Sequence, residues 1–242
     1  MRIIINGAGG RMGNALRAMT EKKGAQVAAM VDPFVQEPGM LQKLSQFDGQ
    51  ADCIIDFSNH AGTHELLSYA LEKGLPVILC TTGHTRQELD EIEEAAKQIP
   101  VFHSGNMSLG IAVLTRLVKD AAKMFPDADI EIVESHHNQK LDVPSGTALM
   151  LARSVQAVRE DATLLVGRHE NGKRTKQEVG IHSLRMGNTV GIHEVIINTG
   201  TQILTLKHEA QDRSLFAEGA LAAAEFMLGK EAGLYNMDHI VG

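Results

Sequence analysis

A glycine-rich turn set between an all-apolar run and an amphipathic stretch constrains this chain more than any other feature. Arg2-Ile3-Ile4-Ile5-Asn6 carries three consecutive isoleucines, the pattern of a strand buried on both faces. Gly7-Ala8-Gly9-Gly10-Arg11-Met12-Gly13 follows at once, and the spacing predicts a helix from Arg11 to about Lys23. Strand, tight turn and helix in that order open a crossover connection, and crossovers of this kind build parallel sheets.

The alternation continues through the first hundred residues. Ala25–Val31, Asp52–Phe57, Pro76–Cys80 and Val101–His103 read as strands. His60 to Lys73 reads as helical, and Thr85-Arg86-Gln87-Glu88 is a capping box that opens a helix to about Gln98. The fold class that results is α/β, a Rossmann-type doubly wound parallel sheet. After Asn106 the pattern changes. A helix is expected from Ser108 to about Met124, then a strand Asp129–Ser135, a helix from about Gly146 to Arg159, and strands between Val179 and His208. Arg168–Gln177 reads as a mobile polar loop, and Leu215–Leu228 as a final helix with one apolar face. The expected organisation is a dinucleotide-binding domain over 1–107, completed by the C-terminal helix within 214–242. A second α+β domain on a mixed sheet is expected over 108–213.

Glycines in the first turn let the backbone approach a pyrophosphate resting on the helix N-terminus. Asp32 closes the second strand about 20 residues beyond the turn, where an acid meets the adenosine ribose. Pro33 and Phe34 follow it, and no basic residue stands between Asp32 and Lys43. A carboxylate accepts from ribose hydroxyls and repels a 2′-phosphate, so NADH is favoured; Arg11 keeps NADPH open as a second cofactor. Cys80-Thr81-Thr82-Gly83 and Gly105-Asn106-Met107-Ser108 each follow a strand of the same sheet, at the end where ligands bind.

The chemistry is concentrated elsewhere, in Glu134-Ser135-His136-His137-Asn138-Gln139-Lys140-Leu141-Asp142-Val143-Pro144-Ser145-Gly146-Thr147. A positioned histidine pair is a proton donor and relay near neutral pH. Lys140 adds a fixed positive charge, and Ser145-Gly146-Thr147 falls where a helix should begin, with free N–H groups that bind anions. Together these residues point to a site that protonates an anionic substrate, a carboxylate. Taken alone, the block would read as a polar surface loop; the nucleotide fingerprint tips the balance. Asp142 either orients Lys140 or a histidine or caps the turn before Pro144, and the structural role is the favoured reading. His193 and His208 are read as hydrogen-bonded core or edge residues, and Arg185 either as an anion contact or as a surface or subunit-interface ion pair.

Composition limits the alternatives. A formal charge of −7 over 242 residues argues against general nucleic-acid or anionic-membrane binding. No apolar run approaches the ~20 residues of a bilayer span. Met1 runs straight into a strand pattern, so no signal peptide is expected and the cytoplasm is the expected setting. Cys53 and Cys80 lie in apolar runs without metal-ligand spacing, so reduced buried thiols and no metal centre are expected.

These motifs resemble, in order, those of the 4-hydroxy-tetrahydrodipicolinate reductase (dihydrodipicolinate reductase) family. The resemblance rests on Gly-Ala-Gly-Gly-Arg-Met-Gly, the Thr-Thr-Gly loop, Asn-Met-Ser-Leu-Gly and the Glu-Ser-His-His to Pro-Ser-Gly-Thr-Ala block, and covers nearly the whole chain. It implies NAD(P)H-dependent reduction of a cyclic unsaturated dicarboxylate to tetrahydrodipicolinate, a step of diaminopimelate and lysine biosynthesis. By the same resemblance His136 is the proton donor and Lys140 its charged partner, while His137, Gly146 and Thr147 hold the substrate. Gly7, Ala8, Gly9, Gly10, Arg11, Met12 and Asp32 would bind the cofactor. Cys80, Thr81 and Thr82, with Ser104, Gly105, Asn106 and Met107, would pack around its nicotinamide half. The second domain would bind substrate and form a homotetramer through its sheet. Two positions depart from the family pattern: Cys80 stands where members often carry glycine, and Pro33 follows the ribose acid where several NADPH users offer a base. Two other readings use the same nucleotide residues, another NAD(P)-dependent amino-acid dehydrogenase and a non-catalytic NAD-sensing protein. Neither needs the His-His-x-x-Lys block.

Overall fold

The computed structural model describes all 242 residues and divides them into two compact units, Met1–Ser108 with Arg213–Gly242, and Leu109–Asp212. The chain begins with strand β1 (Arg2–Asn6), helix α1 (Arg11–Lys22), β2 (Gln26–Val31), β3 (Met40–Leu41), β4 (Cys53–Asp56), α2 (Thr63–Lys73), β5 (Val77–Leu79), α3 (Arg86–Ala95) and β6 (Pro100–His103). The second unit contains α4 (Leu109–Met124), β7 (Asp129–His136), α5 (Gly146–Gln156), β8 (Thr163–Val166), β9 (Glu178–Arg185), β10 (Gly191–Asn198) and β11 (Ile203–Ala210). The chain then returns to the first unit as α6 (Ser214–Met227), β12 (Gly233–Tyr235) and α7 (Asp238–Val241). No helix is long and apolar enough to cross a membrane.

The first sheet has seven strands in the order β12-β6-β5-β4-β1-β2-β3, and every neighbouring pair is parallel. Its central strands are apolar at every core position: Ile3, Ile4, Ile5, Ile54, Ile55, Val77, Ile78 and Leu79 are all fully buried. This is the Rossmann-type sheet that the three isoleucines require. The capping box forms as read, with Glu88 N donating to Thr85 Oγ1 at 3.3 Å and Thr85 N to the Glu88 carboxylate at 2.6 Å. α6 packs on α1. Five of its seven buried residues are small (Ala217, Gly219, Ala220, Ala223 and Ala224), which favours close packing; Leu221 and Met227 complete the buried set. The stretch from His60 opens as a 3-10 turn, His60–Gly62, before α2 begins.

The second sheet is mixed, in the order β11-β10-β7-β9-β8. β10 runs antiparallel to both β11 and β7, and β7, β9 and β8 run parallel. Ile130 and Ile132 of β7, Val179 and Ile181 of β9, and Val195 and Ile197 of β10 alternate into one core with α4 and α5. α5 stops at Gln156, short of the expected Arg159, because that arginine is used otherwise. Its buried guanidinium donates to the carbonyls of Ala122, Phe125 and Ala128, and so ties the end of α4 to the turn that leads into β7. The polar stretch 168–177 is irregular, but Arg174 ties it to the sheet through Asp129 and Glu131 and the Ile130 and Glu178 carbonyls.

Candidate active site

Within the first unit, one buried carboxylate gathers the loops beyond the strand ends. Asp56 closes β4 and accepts from Asn6 Nδ2 (2.8 Å), Ser58 Oγ (2.5 Å) and Thr81 Oγ1 (2.6 Å). It therefore joins the carboxyl ends of β1, β4 and β5. Sequence reading assigned it no role. The available signal was an acid at the end of a fully buried strand, where a charge must find partners.

The glycine turn wraps the neighbouring strand end. Gly7 N and Ala8 N both donate to the Val31 carbonyl, and Gly7 takes φ +77°. A Cβ on Gly7 would stand 2.7 Å from Ser58 N, and one on Gly13 would stand 2.2 Å from the Gly7 carbonyl oxygen. Both positions need glycine, the first for its backbone angle as well as for space. Asp32 is buried, accepting from Gly9 N at 3.1 Å and from Phe34 N at 2.9 Å. Those two bonds aim its carboxylate along the turn.

A cavity of about 520 Å³ opens here, lined among others by Gly7, Gly10, Asp32, Phe34, Lys43 and Asn59. Phe34 is 90% exposed on its wall. Lys43 reaches the same cavity because β3 pairs with β2, so that the residues after each strand emerge side by side. The sequence placed Lys43 too far along the chain to matter; β3 has only two residues and left no readable pattern. A second cavity of about 210 Å³ brings Cys80, Thr81 and Thr82 together with Phe57, Ser58, Asn59 and His60. Cys80 is buried, its thiol lies 3.8 Å from the Ile78 carbonyl, and burial pushes its pKa well up, so the thiol is neutral.

Other expected cofactor residues stand outside both linings. Ala8, Gly9, Arg11 and Met12 belong to the turn and the first turn of α1. Ser104, Gly105, Asn106 and Met107 form a turn closed on itself: Ser104 Oγ donates to the Asn106 carbonyl (2.8 Å), Asn106 Oδ1 accepts from Ser108 N (2.8 Å), and Met107 is buried. The glycines that tolerate no Cβ, the oriented acid and the adjoining cavity together suit a dinucleotide.

In the second unit, β7 delivers Glu134 and His136 to the same face by the two-residue period of a strand. Glu134 has no solvent exposure in its side chain. Its Oε2 accepts from His136 Nδ1 at 2.5 Å and from Arg185 Nη1 at 2.9 Å. Its Oε1 accepts from Arg185 Nη2 at 2.8 Å and from Ser145 N, the cap of α5, at 3.2 Å. Burial alone would raise the Glu134 pKa, but the Arg185 guanidinium and the neighbouring donors outweigh it and hold the group at about 2.

His136 is itself pulled below the usual histidine range, first by burial, against the opposing pull of Glu134. With Nδ1 committed to Glu134, Nε2 carries no hydrogen bond from the protein. A Cβ on Gly191 would stand 3.1 Å from that nitrogen, so glycine there leaves the ring edge uncrowded. His193 lies edge-on to His136, with ring centroids 5.1 Å apart. Burial, then His136, pushes it down to about 4, so it is neutral at physiological pH. Its Nε2 lies 3.1 Å from Ser145 Oγ. Ser145 Oγ also accepts from Ala148 N, so the cap of α5 and His193 share one hydroxyl.

Lys140 Nζ pairs with Asp142 Oδ1 at 2.8 Å, so of the two roles expected for Asp142 the structure has the one less favoured, holding the lysine. Lys140 N donates to the His137 carbonyl, which bends the loop so that both side chains come from one turn. Arg185, expected either on an anion or in a surface or interface ion pair, instead pairs with the buried Glu134 inside this cluster and also donates to the Asp142 carbonyl. Its register opposite His136 in the β7–β9 pair explains why. Gly146 and Thr147 open α5; Gly146 is exposed, and a Cβ there would meet nothing within 4 Å. The cluster thus surrounds a histidine that has one uncommitted nitrogen with two fixed cations and a helix N-terminus. Such a set can hold an anion and donate a proton.

Comparison with known proteins agrees with both halves. The family description "Dihydrodipicolinate reductase, N-terminus" matches residues 1–107, and "Dihydrodipicolinate reductase, C-terminus" matches 110–241. The chain is 42% identical to the 4-hydroxy-tetrahydrodipicolinate reductase of Clostridium novyi (strain NT), over 99% of this chain and 98% of that one. It is 43% identical to the enzyme of the same name from Caldanaerobacter subterraneus subsp. tengcongensis, over 100% of this chain and 98% of that one. Among solved structures, dipicolinate-bound dihydrodipicolinate reductase from Paenisporosarcina sp. TG-14 shares the fold with a TM-score of 0.82 at 23% identity, covering 99% of each chain. Aspartate dehydrogenase from Thermotoga maritima shares it more loosely, with a TM-score of 0.52 at 15% identity, covering 96% of this chain and 97% of that one. Fold alone therefore does not separate the reductase from an amino-acid dehydrogenase; the family matches do. The chain belongs to the dihydrodipicolinate reductase family.

Proposed function

We propose that this NAD(P)H-dependent oxidoreductase reduces 4-hydroxy-tetrahydrodipicolinate to tetrahydrodipicolinate in the diaminopimelate route to lysine, with His136 as the proton donor. The observation that carries the residue assignment is the buried Glu134–His136 pair beside Lys140 and the open start of α5. When bound, the dihydronicotinamide supplies the hydride. The net reaction consumes that hydride and one proton and releases water when the hydroxylated ring is the starting species.

The residues of the second unit divide the remaining work. Gly146 N–H, Thr147 N–H and the Thr147 hydroxyl receive one substrate carboxylate, and Lys140 and His137 balance further negative charge. His136 Nε2 delivers the proton to the ring position that gains electron density. Its lowered pKa is not an obstacle to this role: a dianionic substrate nearby favours the imidazolium, so binding recharges the donor. Turns Gly7 to Met12 and Ser104 to Met107, with Asp32, Cys80, Thr81 and Thr82, hold the cofactor.

NADH is the preferred cofactor, because the oriented Asp32 carboxylate suits ribose hydroxyls and repels a 2′-phosphate. Lys43 on the same cavity wall makes NADPH acceptable as well. The test is loss of absorbance at 340 nm while the upstream synthase generates the unstable ring from pyruvate and aspartate semialdehyde. Oxidation should depend on the synthase, run faster with NADH, and persist with NADPH. Replacing Lys43 with Met should lower the NADPH rate about 10-fold, as expected for losing one charge-assisted contact, and spare the NADH rate. No synthase-dependent oxidation by protein that binds NADH would refute the activity, and equal losses with both cofactors would refute the role of Lys43. We further propose a homotetramer built through the mixed sheet, whose second face carries half-exposed residues such as Val133, Glu194 and Ile196. A monomer mass in sedimentation equilibrium at assay concentration would exclude it.

A further inference from the structure

We propose that Glu134 is a positioning residue that fixes the His136 ring and the start of α5 from one buried carboxylate, with Arg185 as the clamp that holds it. The inference rests on His136 being the proton donor. Its geometric part stands apart from that reading and is tested separately.

Four bonds converge on two oxygens. Oε2 receives His136 Nδ1 and Arg185 Nη1; Oε1 receives Arg185 Nη2 and Ser145 N. Each oxygen therefore meets one arm of the guanidinium and one functional group. Two-point pairing with Arg185 stops the carboxylate from rotating, in the way that a bidentate fork fixes its partner. The His136 ring is then fixed too, because Nδ1–H has a single acceptor and Nε2 must face the opposite way. On the other oxygen, Ser145 N sets where the N-terminus of α5 presents Gly146 and Thr147. Proton donor and anion site therefore share one origin, and a displacement of Glu134 would misplace both. Arg185 adds a third tie through the Asp142 carbonyl, the residue that also pairs with Lys140.

The charged and titratable groups facing His136 are few. Glu134 lies on its own strand, Arg185 on β9, His193 on β10 and Lys140 on the following loop, with His208 of β11 facing His193. Only Glu134 is negative and in contact, so it alone favours the imidazolium from within the protein.

Glu134→Gln keeps the shape but changes the hydrogen-bond logic. Its amide oxygen takes the place of Oε1, which faces two groups that can only donate, Arg185 Nη2 and Ser145 N; its NH₂ then takes the place of Oε2, gives up the Arg185 Nη1 bond and faces Nδ1. Nδ1 must become an acceptor, and the neutral ring carries its hydrogen on Nε2. In ¹⁵N-histidine NMR of the whole protein, the His136 tautomer should therefore switch and its titration midpoint fall. Turnover should drop about 10- to 1000-fold, by analogy with histidines left in the wrong tautomer, and the alkaline limb of the kcat profile should move to lower pH. Glu134→Asp restores the charge and should recover part of both. Should the glutamine variant not fold, Arg185→Lys carries the same test: a lysine cannot hold both oxygens, and the tautomer should become mixed.

An unchanged tautomer and an unmoved pH limb, with only a lower Tm, would overturn the proposal and leave Glu134 a structural ion pair. A switched tautomer alongside normal turnover in His136→Gln would support the positioning role of Glu134 and defeat the assignment of His136 as donor.

Discussion

Turnover of a His136→Gln variant is expected to fall about 10²- to 10⁴-fold, the contribution of a positioned general acid, with little change in NADH affinity. Glutamine can still donate to Glu134, so the packing around β7 survives, but an amide nitrogen offers no transferable proton at neutral pH. The wild-type pH profiles should follow from the same residue. His136 must be protonated to act, and burial holds its pKa below the usual histidine value in the free protein. The sign is then determined: kcat/KM, which reports the free enzyme, should decline as pH rises through a region below about 6.5. kcat, which reports the complex, should hold to higher pH because the bound dianion favours the imidazolium. Steady-state rates from pH 5 to 9 check both. A variant within tenfold of wild type across that range would remove His136 from the chemistry.

The second large effect is expected at Gly7. Alanine there must adopt φ near +77°, which costs an L-residue roughly 1–2 kcal/mol, and its Cβ would stand 2.7 Å from Ser58 N. Neither strain can be relieved by turning a side chain, because the obstructing atoms are backbone. The turn must open, and with it the relation of Gly7 to Asp32 and the cavity. The Kd for NADH, read by fluorescence titration, should rise at least about tenfold, equivalent to 1.4 kcal/mol of lost binding. The ¹⁵N signals of His136 should stay in place, since that residue belongs to the other unit. An unchanged Kd would show that the turn does not approach the cofactor.

What the sequence revealed and what it hid have physical causes. Strands buried on both faces are written as apolar runs, so Ile3 to Ile5 and Val77 to Leu79 were readable. So was α3, whose capping box is a local interaction between Thr85 and Glu88. β3 and β12 were not: two or three residues added to an existing edge need no apolar signature of their own. Lys43 was lost with β3. The His-Lys-Ser-Gly-Thr block was visible because its members lie close in sequence. Their organiser was not, because Arg185 is about fifty residues from Glu134 along the chain and meets it only through strand register. Asp56 was hidden for the same reason, since its partners Asn6 and Thr81 come from two other strand ends.

The return of the chain as α6 and β12 sets an order of events during synthesis. Residues 109–212 are contiguous and can close their core as soon as they emerge. The nucleotide-binding unit cannot, although most of it precedes the insert: the edge of β6 stays open, and α1 stays uncovered by α6, until residues 213–242 leave the ribosome. During that interval a parallel sheet edge and an apolar helix face are both available to neighbouring chains, the usual starting point for strand addition and aggregation. Chains that stall or are cut ahead of Ser214 would keep every residue of the Glu134–His136–Arg185 cluster and lose the helix and strand that cover α1 and β6.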